Sequence, residues 1–533
     1  MTITKIAIVG GGTAGWLAAN HLGKALAARR DIELTLIESP QVPTIGVGEG
    51  TVPAIRQSLQ SFGISETEFI RSCDVTFKQS IKFINWLDKS SHGEHYAYHH
   101  LFDRPSSPLD LTPLYLSQLA QSELLPTSYA STNALPTGSE PNAGGFNASS
   151  VHYAHLVSAQ HQLCESGKAP KSITTPEWQG IAGYAYHLNA LKFAQLLASN
   201  AKQRFNVNHI RAHIDKVVLG DDGLISGLVT EEHGLVNFDF YIDCSGTEAV
   251  LMKALKVPFI SVADSLFVDT ALAIQVPTAA LQTIPPYTLA TAHQAGWIWD
   301  IALTERRGVG LVYSSRYMNE DEATLKLHRY LGPSSCDMSF RKIAMKVGYL
   351  AESWRGNCVA LGLAQGFLEP LEATSIMLTD FSAKLLAERL PQDCAQLPLL
   401  AGRFNQVMLH AWQRVIDFVK LHYFLSDRSD SQFWLDNRNP AHLSEELQQR
   451  LQLWQTSVPL KSDFFSKFEA FDLENYLYVL YGMKYQTQLS GAPSASLRQQ
   501  AEDVQQLARK WLEYLPEHRD LLERIHKYGL QKN

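Results

Sequence analysis

No apolar run in the 533 residues approaches the ~18 that a membrane-crossing helix requires, so no span is expected. Basic residues are not in excess: 46 Lys and Arg stand against 53 Asp and Glu, a net charge of -7. That balance argues against a nucleic-acid partner, because no basic face is offered to phosphates. Cysteines are six and dispersed, with no Cys-x-x-Cys pair and no metal-ligand spacing, which fits reduced thiols. The first residues, MTITKIAIVGGG, lack the basic region, long apolar segment and cleavage site of a secretory leader, so the expected compartment is the cytoplasm. There is no internal repeat and no GxSxG or Walker motif. Tryptophan is scarce as well, at 10 residues, yet two of them flank one isoleucine in AGWIWDIAL (295–303). In a strand, Trp297, Trp299, Ile301 and Leu303 share a face, and the ordinary reading is a core strand.

What is present is a chain long enough for two or three domains, 45% hydrophobic and 19% charged, as globular proteins are. It opens with ITKIAIVGGGTAGWLAANHLGKAL, an apolar strand, a glycine turn and a helix. Gly10, Gly12 and Gly15 hold GxGxxG spacing. The first suits the tight turn, the second lets backbone approach a pyrophosphate, and the third packs helix against strand. Thr13 and Ala14 open the helix, whose free N–H groups and dipole favour phosphate. The next strand, IELTLIE, ends in Glu38, placed to accept hydrogen bonds from a ribose. A merely tight turn leaves Glu38 unexplained, so a dinucleotide site is expected. The motif alone does not choose between FAD and NAD.

The loop PQVPTIGVGEGTVP, with Gly48 and Glu49, could cover a bound cofactor. Residues 88–150 read as irregular, with LPTGSEPNAGGFNASS a loop-like excursion. HLNALKFAQLLASNAKQRF is an amphipathic helix, and the stretch from His209 to Gly246 is a run of strands turning at DDG. Residues 260–350 are rich in strand patterns. Then NCVALGLAQGFLEPLEATSIMLTDFSAKLLAERL returns to strand, glycine turn and helix, with Leu363 in the turn. In flavoproteins of wrap-around architecture an early unit holds the ADP half and a late one reaches the flavin, so FAD is favoured over NAD. The expected fold is α/β: an FAD-binding doubly wound core, flavin monooxygenase-like, with a β-sheet substrate-side region and a helical C-terminal domain. Its expected divisions are 1–395, with an inserted sheet at about 250–350, and 396–533.

Three segments carry candidate chemistry. TFKQSIKFINW places Lys78 and Lys82 four apart, on one side of either a strand or a helix. Lysine is ordinarily solvated. Here Phe77, Ile81, Phe83 and Trp86 read as interior, so at least one ammonium is expected to face a cavity. FLEPLEATSI sets Glu369 and Glu372 before a helix whose first amides, near Thr374 and Ser375, make an anion site. Glu372 is either a capping acid or a group that takes a proton or stabilises positive charge. SHGEHYAYHHLF holds His92, His95, His99 and His100, but without cysteine or an HExxH pattern no metal is expected. Stacking of His100 and Phe102 on an aromatic ligand is the better use.

Taken together, GGGTAGW, GVGEGTVP, TFKQSIKFINW, AYHLNA, DCSG, GWIWDIAL, VYSS, GLAQGFLEPLEATSI and DFVKLHY resemble the flavin-dependent tryptophan halogenases along most of the chain. The resemblance implies reduced FAD supplied by a separate flavin reductase, with chloride or bromide oxidised to hypohalous acid. It implies backbone amides of Thr374 and Ser375 at the halide, Lys78 as the catalytic lysine, and Glu372 beside the arenium intermediate. His100 and Phe102 match a pair that stacks an indole, and Trp297 with Trp299 a partition between flavin and substrate. FAD contacts fall on Gly10, Gly12, Thr13, Ala14, Gly15, Glu38, Gly48, Glu49 and Leu363. The implied activity is halogenation of an electron-rich aromatic such as an indole or tryptophan, in a possible homodimer. The alternatives are a flavin-dependent aromatic monooxygenase on the same scaffold, or a non-catalytic flavin- and aromatic-binding protein. Three positions depart from the family pattern: Ala302 ends the WxWxIP motif, Ala373 replaces a serine, and Gly50 an alanine. They bear on the choice of substrate and on how halide oxidation couples to it.

Overall fold

The computed structural model describes residues 2–29, 31–41, 49–92, 96–105, 110–123, 152–279, 282–335, 338–488 and 493–532. The strand Lys5–Val9 is apolar at every position after its lysine and buried on both faces, as a parallel strand covered by helices must be. It lies inside a six-stranded sheet ordered Trp354–Arg355, Cys358–Ala360, Phe240–Asp243, Lys5–Val9, Glu33–Glu38, Asn208–Arg211. Every neighbouring pair is parallel except the outermost, Trp354–Arg355 with Cys358–Ala360. Helices Thr13–Ala25, Ala190–Phe205 and Thr374–Glu388 pack together, the first touching both others. Asn189 caps the second of these by accepting the Lys192 N–H.

A seven-stranded sheet carries the residues expected to face substrate. Its order is Arg341–Ala344, Thr270–Pro277, Arg306–Tyr313, Gly296–Ala302, Tyr287–His293, Ser80–Ile84, Tyr98–Leu101. Only Tyr287–His293 with Ser80–Ile84 is parallel. A third, small sheet holds Glu49–Gly50, Ala185–Leu188 and Thr76–Lys78. The chain steps from small sheet to large one at Gln79, whose N–H donates to Pro286 O and whose carbonyl accepts from Phe102 N–H. This break corrects the expectation for the two lysines. Lys78 and Lys82 belong to different sheets, and Lys82 pairs with Glu165 at 2.6 Å while Lys78 is buried. The irregular stretch expected over 88–150 contains the edge strand Tyr98–Leu101 and the helix Thr112–Glu123, while 135–150 fall outside the described residues.

Beyond residue 396 the chain is helical, led by the 29-residue helix Leu397–Leu425. One apolar core takes in residues from Ile3 to Leu530. Trp86 packs on Tyr423 and Trp434, with centroids at 5.1 and 5.6 Å. His518, near the C-terminus, accepts the Phe77 N–H at 2.9 Å. Among the described residues no helix is long and apolar enough to cross a membrane.

Candidate active site

The first turn has the shape a dinucleotide needs. A Cβ on Gly15 would lie 1.9 Å from the Gly10 carbonyl, so only glycine lets the helix approach the strand that closely. A Cβ on Gly12 would meet nothing within 4 Å. Gly12 is the N-cap of Thr13–Ala25 with no side-chain cap, so the helix presents its first amides unspent. Glu38 lies against the same turn, at the end of Glu33–Glu38, with His209 Nε2 2.8 Å from its carboxylate. The late turn reaches this place: a Cβ on Gly362 would stand 2.5 Å from the Ala14 Cβ. These features fit FAD. Gly48 lies outside the described residues.

From the late turn a cavity of about 200 Å³ runs to Lys78, lined by Leu363, Phe367, Ala373, Ser375, Trp299 and Glu49 among others. Burial raises the Glu49 carboxyl to about 7. At the cavity's edge the helix Thr374–Glu388 starts from Ala373, held at φ +55 with no side-chain cap. A left-handed alanine is strained, and such strain persists only where surroundings impose it. It leaves the amides of the first turn without a side-chain acceptor.

Lys78 is fully buried. Its Nζ donates to Thr51 O at 3.2 Å and stands 5.2 Å from the centre of the Phe102 ring. Burial lowers its pKa to about 8, against the charge of Glu372, which raises it. Glu372 caps nothing; two histidines bracket it. His100 Nδ1 lies 2.9 Å from one carboxylate oxygen, and His422 Nε2 lies 2.9 Å from the other. Asn475 fixes the His100 tautomer. Its Oδ1 accepts from Asp472 N–H, so its Nδ2 donates to His100 Nε2 at 3.0 Å and leaves Nδ1–H for Glu372. Burial pushes the Glu372 carboxyl up, but the histidines overcome it and hold the pKa at about 2.

The two tryptophans divide their work. Trp299 lines the cavity, its ring so close over Gly310 that a Cβ there would lie 2.0 Å from it. Trp297 is turned to Glu369, donating its Nε1–H to Oε2 at 2.6 Å. Tyr423 donates its hydroxyl to the same oxygen at 2.6 Å. Ala302 closes this strand, its carbonyl accepting from Thr76 Oγ1 at 2.8 Å.

The match to known proteins runs the length of this arrangement. A tryptophan halogenase family model covers residues 5–497. This chain belongs to the tryptophan halogenase family. It is 35% identical over 482 residues to tryptophan 6-halogenase SttH of Streptomyces toxytricini, covering 90% of this chain and 89% of that one. It is 30% identical to tryptophan 7-halogenase RebH of Lentzea aerocolonigenes, across 98% of this chain and 99% of the relative. The crystal structure of a tryptophan halogenase from Shewanella frigidimarina NCIMB 400 superposes with a TM-score of 0.90 at 38% identity, covering 100% and 99% of the two chains.

The halogenase is thus a flavin-dependent enzyme using FAD and a halide. Of its expected site residues, the fold gathers Lys78, Phe102, Glu372 and His100 in one neighbourhood, and Leu363, Ser375 and Trp299 around one cavity. Two members of the Glu372 bracket had no part in the sequence reading. His422 stands in DFVKLHY and Asn475 in LENYLYV, where helical aromatic spacing points to core. The match of DFVKLHY to the family was the signal that could have found His422; nothing local marks Asn475, which acts on a residue 375 positions away.

Proposed function

We propose that this halogenase places a halogen on the indole ring of tryptophan or a related indole, with Lys78 directing the halogen and Glu372 stabilising the ring cation. One observation carries the reading: a fully buried lysine at the wall of a cavity, softened to a pKa of about 8, stands within the field of a buried carboxylate that two histidines bracket. When bound, reduced FAD with oxygen supplies the oxidising power that turns halide into hypohalous acid. The first-turn amides at Thr374 and Ser375 hold the halide at the positive end of their helix. The Lys78 ammonium donates a hydrogen bond to the hypohalous oxygen, or the neutral amine takes the halogen itself; both fit a pKa near neutrality. In the first route the halogen–oxygen bond breaks as a ring carbon attacks, and the departing hydroxide takes the Lys78 proton to leave as water. In the second, water leaves when the amine takes the halogen, and the halogen–nitrogen bond breaks on ring attack, the nitrogen regaining a proton. Glu372 faces the cation that forms and receives the ring proton. Phe102 offers the apolar wall beside Lys78, and His100 holds Glu372 in place. Burial keeps bulk water from competing for the oxidant.

Gly10, Gly12, Thr13, Ala14, Gly15, Glu38, Glu49 and Leu363 hold FAD in this reading, and Trp299 closes the cavity against the substrate. A separate reductase supplies the reduced flavin. To test it, the protein is incubated with FAD, a flavin reductase, NADH, bromide or chloride, and tryptophan or indole, and products are weighed by mass spectrometry. A halogen in place of a hydrogen is expected; a gain of one oxygen would instead make the protein a monooxygenase, and no product a binder. Trp299→Ala is expected to open the cavity and let some oxygenated product through; halogenation unchanged with none formed would reduce Trp299 to packing.

A further inference from the structure

We infer that His99, His161 and Glu165 form a binding site for a divalent d-block cation of the zinc class, on the face of the Tyr98–Leu101 strand opposite Glu372. The ligand atoms of the three lie within 4.8 Å of one another. His161 and Glu165 are four residues apart on the helix Gln160–Glu165, which sets them on one side of it. His99 comes from the strand, where alternation turns it away from the Glu372 that its neighbour His100 holds. Two imidazoles and a carboxylate, with one position left for water, is a donor set zinc takes with three protein ligands. Cobalt, nickel and copper accept the same set. A tetrahedral zinc holds its donors roughly 3.3 Å apart, so side-chain rotations close the cluster around it.

The hydrogen bonds around His99 point to a cation. Ser80 Oγ–H donates to Cys164 Sγ at 3.5 Å, so its oxygen accepts Nδ1–H of His99 at 2.9 Å. A ligating histidine is held in this way, through its other nitrogen. The Nε2 atom faces Glu165 Oε1 at 2.6 Å, a place that a proton or a cation fills. His161 supplies a second sign: its Nδ1 is buried and meets no hydrogen-bond partner. A ring nitrogen left so is costly unless something arrives to use it. Lys82 competes for the site, with Nζ 2.6 Å from the same Glu165 oxygen, and its side chain, 20% exposed, can turn to solvent.

A cation here ties the strand to the helix that begins at Gln160. Gln160 Oε1 accepts the N–H groups of Phe102 and Asp103 at 3.1 and 2.7 Å. The metal therefore stiffens the ground under Phe102 and His100 without entering the chemistry.

The test uses the full-length protein, stripped with a chelator and titrated with Co²⁺, reading the visible bands of a tetrahedral site and the competition by Zn²⁺. One Co²⁺ per chain is expected. Glu165→Gln, at the exposed rim where it does not threaten the fold, and His161→Asn should each weaken binding by at least about tenfold. Lys82→Met should tighten it, by up to about fivefold, the worth of an exposed ion pair. FAD binding by each variant shows that it is folded. No tetrahedral Co²⁺ spectrum, binding unchanged by Glu165→Gln and His161→Asn, or weaker binding by Lys82→Met would each overturn the site.

Discussion

Of the buried lysines, Lys78 and Lys420 each face one of two glutamates on the same loop, and the two pairs behave differently. Lys78 looks toward Glu372 and Lys420 toward Glu369, with the two acids three positions apart in FLEPLE. Burial softens both lysines, to about 8 and about 7. The acids diverge. Glu372, with two histidines on it, is held at about 2; Glu369, with only the neutral donors Tyr423 and Trp297 and the charge of Lys420 against its burial, rises to about 7. Residue type did not decide this; the partners did. Lys78 also opens onto a cavity, whereas Lys420 donates a hydrogen bond to Asn437 Oδ1 at 2.9 Å inside the core. In the proposed reaction the first pair carries the chemistry; the second pair's acid holds Trp297 and Tyr423.

The sharpest break is to remove each lysine's charge. Lys78→Met is expected to lower halogenation by at least about 10³-fold with FAD binding retained, and Lys420→Met to leave it within about threefold. Both should stabilise the fold against urea at pH 7, by up to about 3 kcal/mol for Lys78→Met and about 4 kcal/mol for Lys420→Met. The sign follows from the direction: a lysine pushed below its unfolded 10.5 destabilises fully below its folded value, and that loss fades as pH rises from about 8 to 10.5 for Lys78. Halogenation lost equally in both variants would erase the distinction between the pairs.

Next come the acids. Glu372→Gln should cost about 10²-fold in rate, and Glu369→Gln little. Their stabilities against pH run in opposite senses. Glu372, lowered to about 2, supports the fold above pH 4.5 and loses that support as pH falls toward 2. Glu369, raised to about 7, takes stability away as pH climbs from 4.5 to 7, and Glu369→Gln should flatten that slope in thermal melts. A smaller effect separates the two roles of Lys78. Single-turnover rates that rise through about pH 8 mark a neutral amine taking the halogen, and rates that fall mark an ammonium donating to it. Smallest is Gly50→Ala, the residue that the family resemblance leads one to expect there. Its Cβ would come within 3.2 Å of Lys78 Nζ, so a shift in this pH profile of a few tenths of a unit is expected without loss of activity.

The parts of the fold that were legible are those that local spacing encodes. The GxGxxG turn, Glu38 and the second strand–turn–helix need only neighbours in sequence, and they appear as read. Lys78 and Glu372 were marked by resemblance, since a lysine in an apolar strand and an acid before a helix have commoner uses. What stayed hidden depends on tertiary contact. The break at Gln79 parts Lys78 from Lys82, although period-two alternation puts them on one face. The histidines of SHGEHYAYHHLF showed no partners in sequence, and the fold sends His92 to Asp427, His99 to Glu165 and His100 to Glu372. His95 lies outside the described residues. The paired tryptophans were read as one wall, and the fold gives one to the cavity and the other to Glu369.

The Glu372 bracket also sets an order of assembly. Its members sit at positions 100, 372, 422 and 475, on an edge strand, a loop and two helices of the C-terminal region. A ribosome releases these in sequence, and domains fold as their residues emerge. By residue 390 the nascent chain holds every strand of the six-stranded sheet, the glycine turns and the helix that starts at Thr374. It has Lys78, Glu372 and His100, but neither His422, the second histidine on the acid, nor Asn475, which holds the far side of the His100 ring. The glycine turns therefore emerge well before the full Glu372 bracket, which only the nearly finished polypeptide completes.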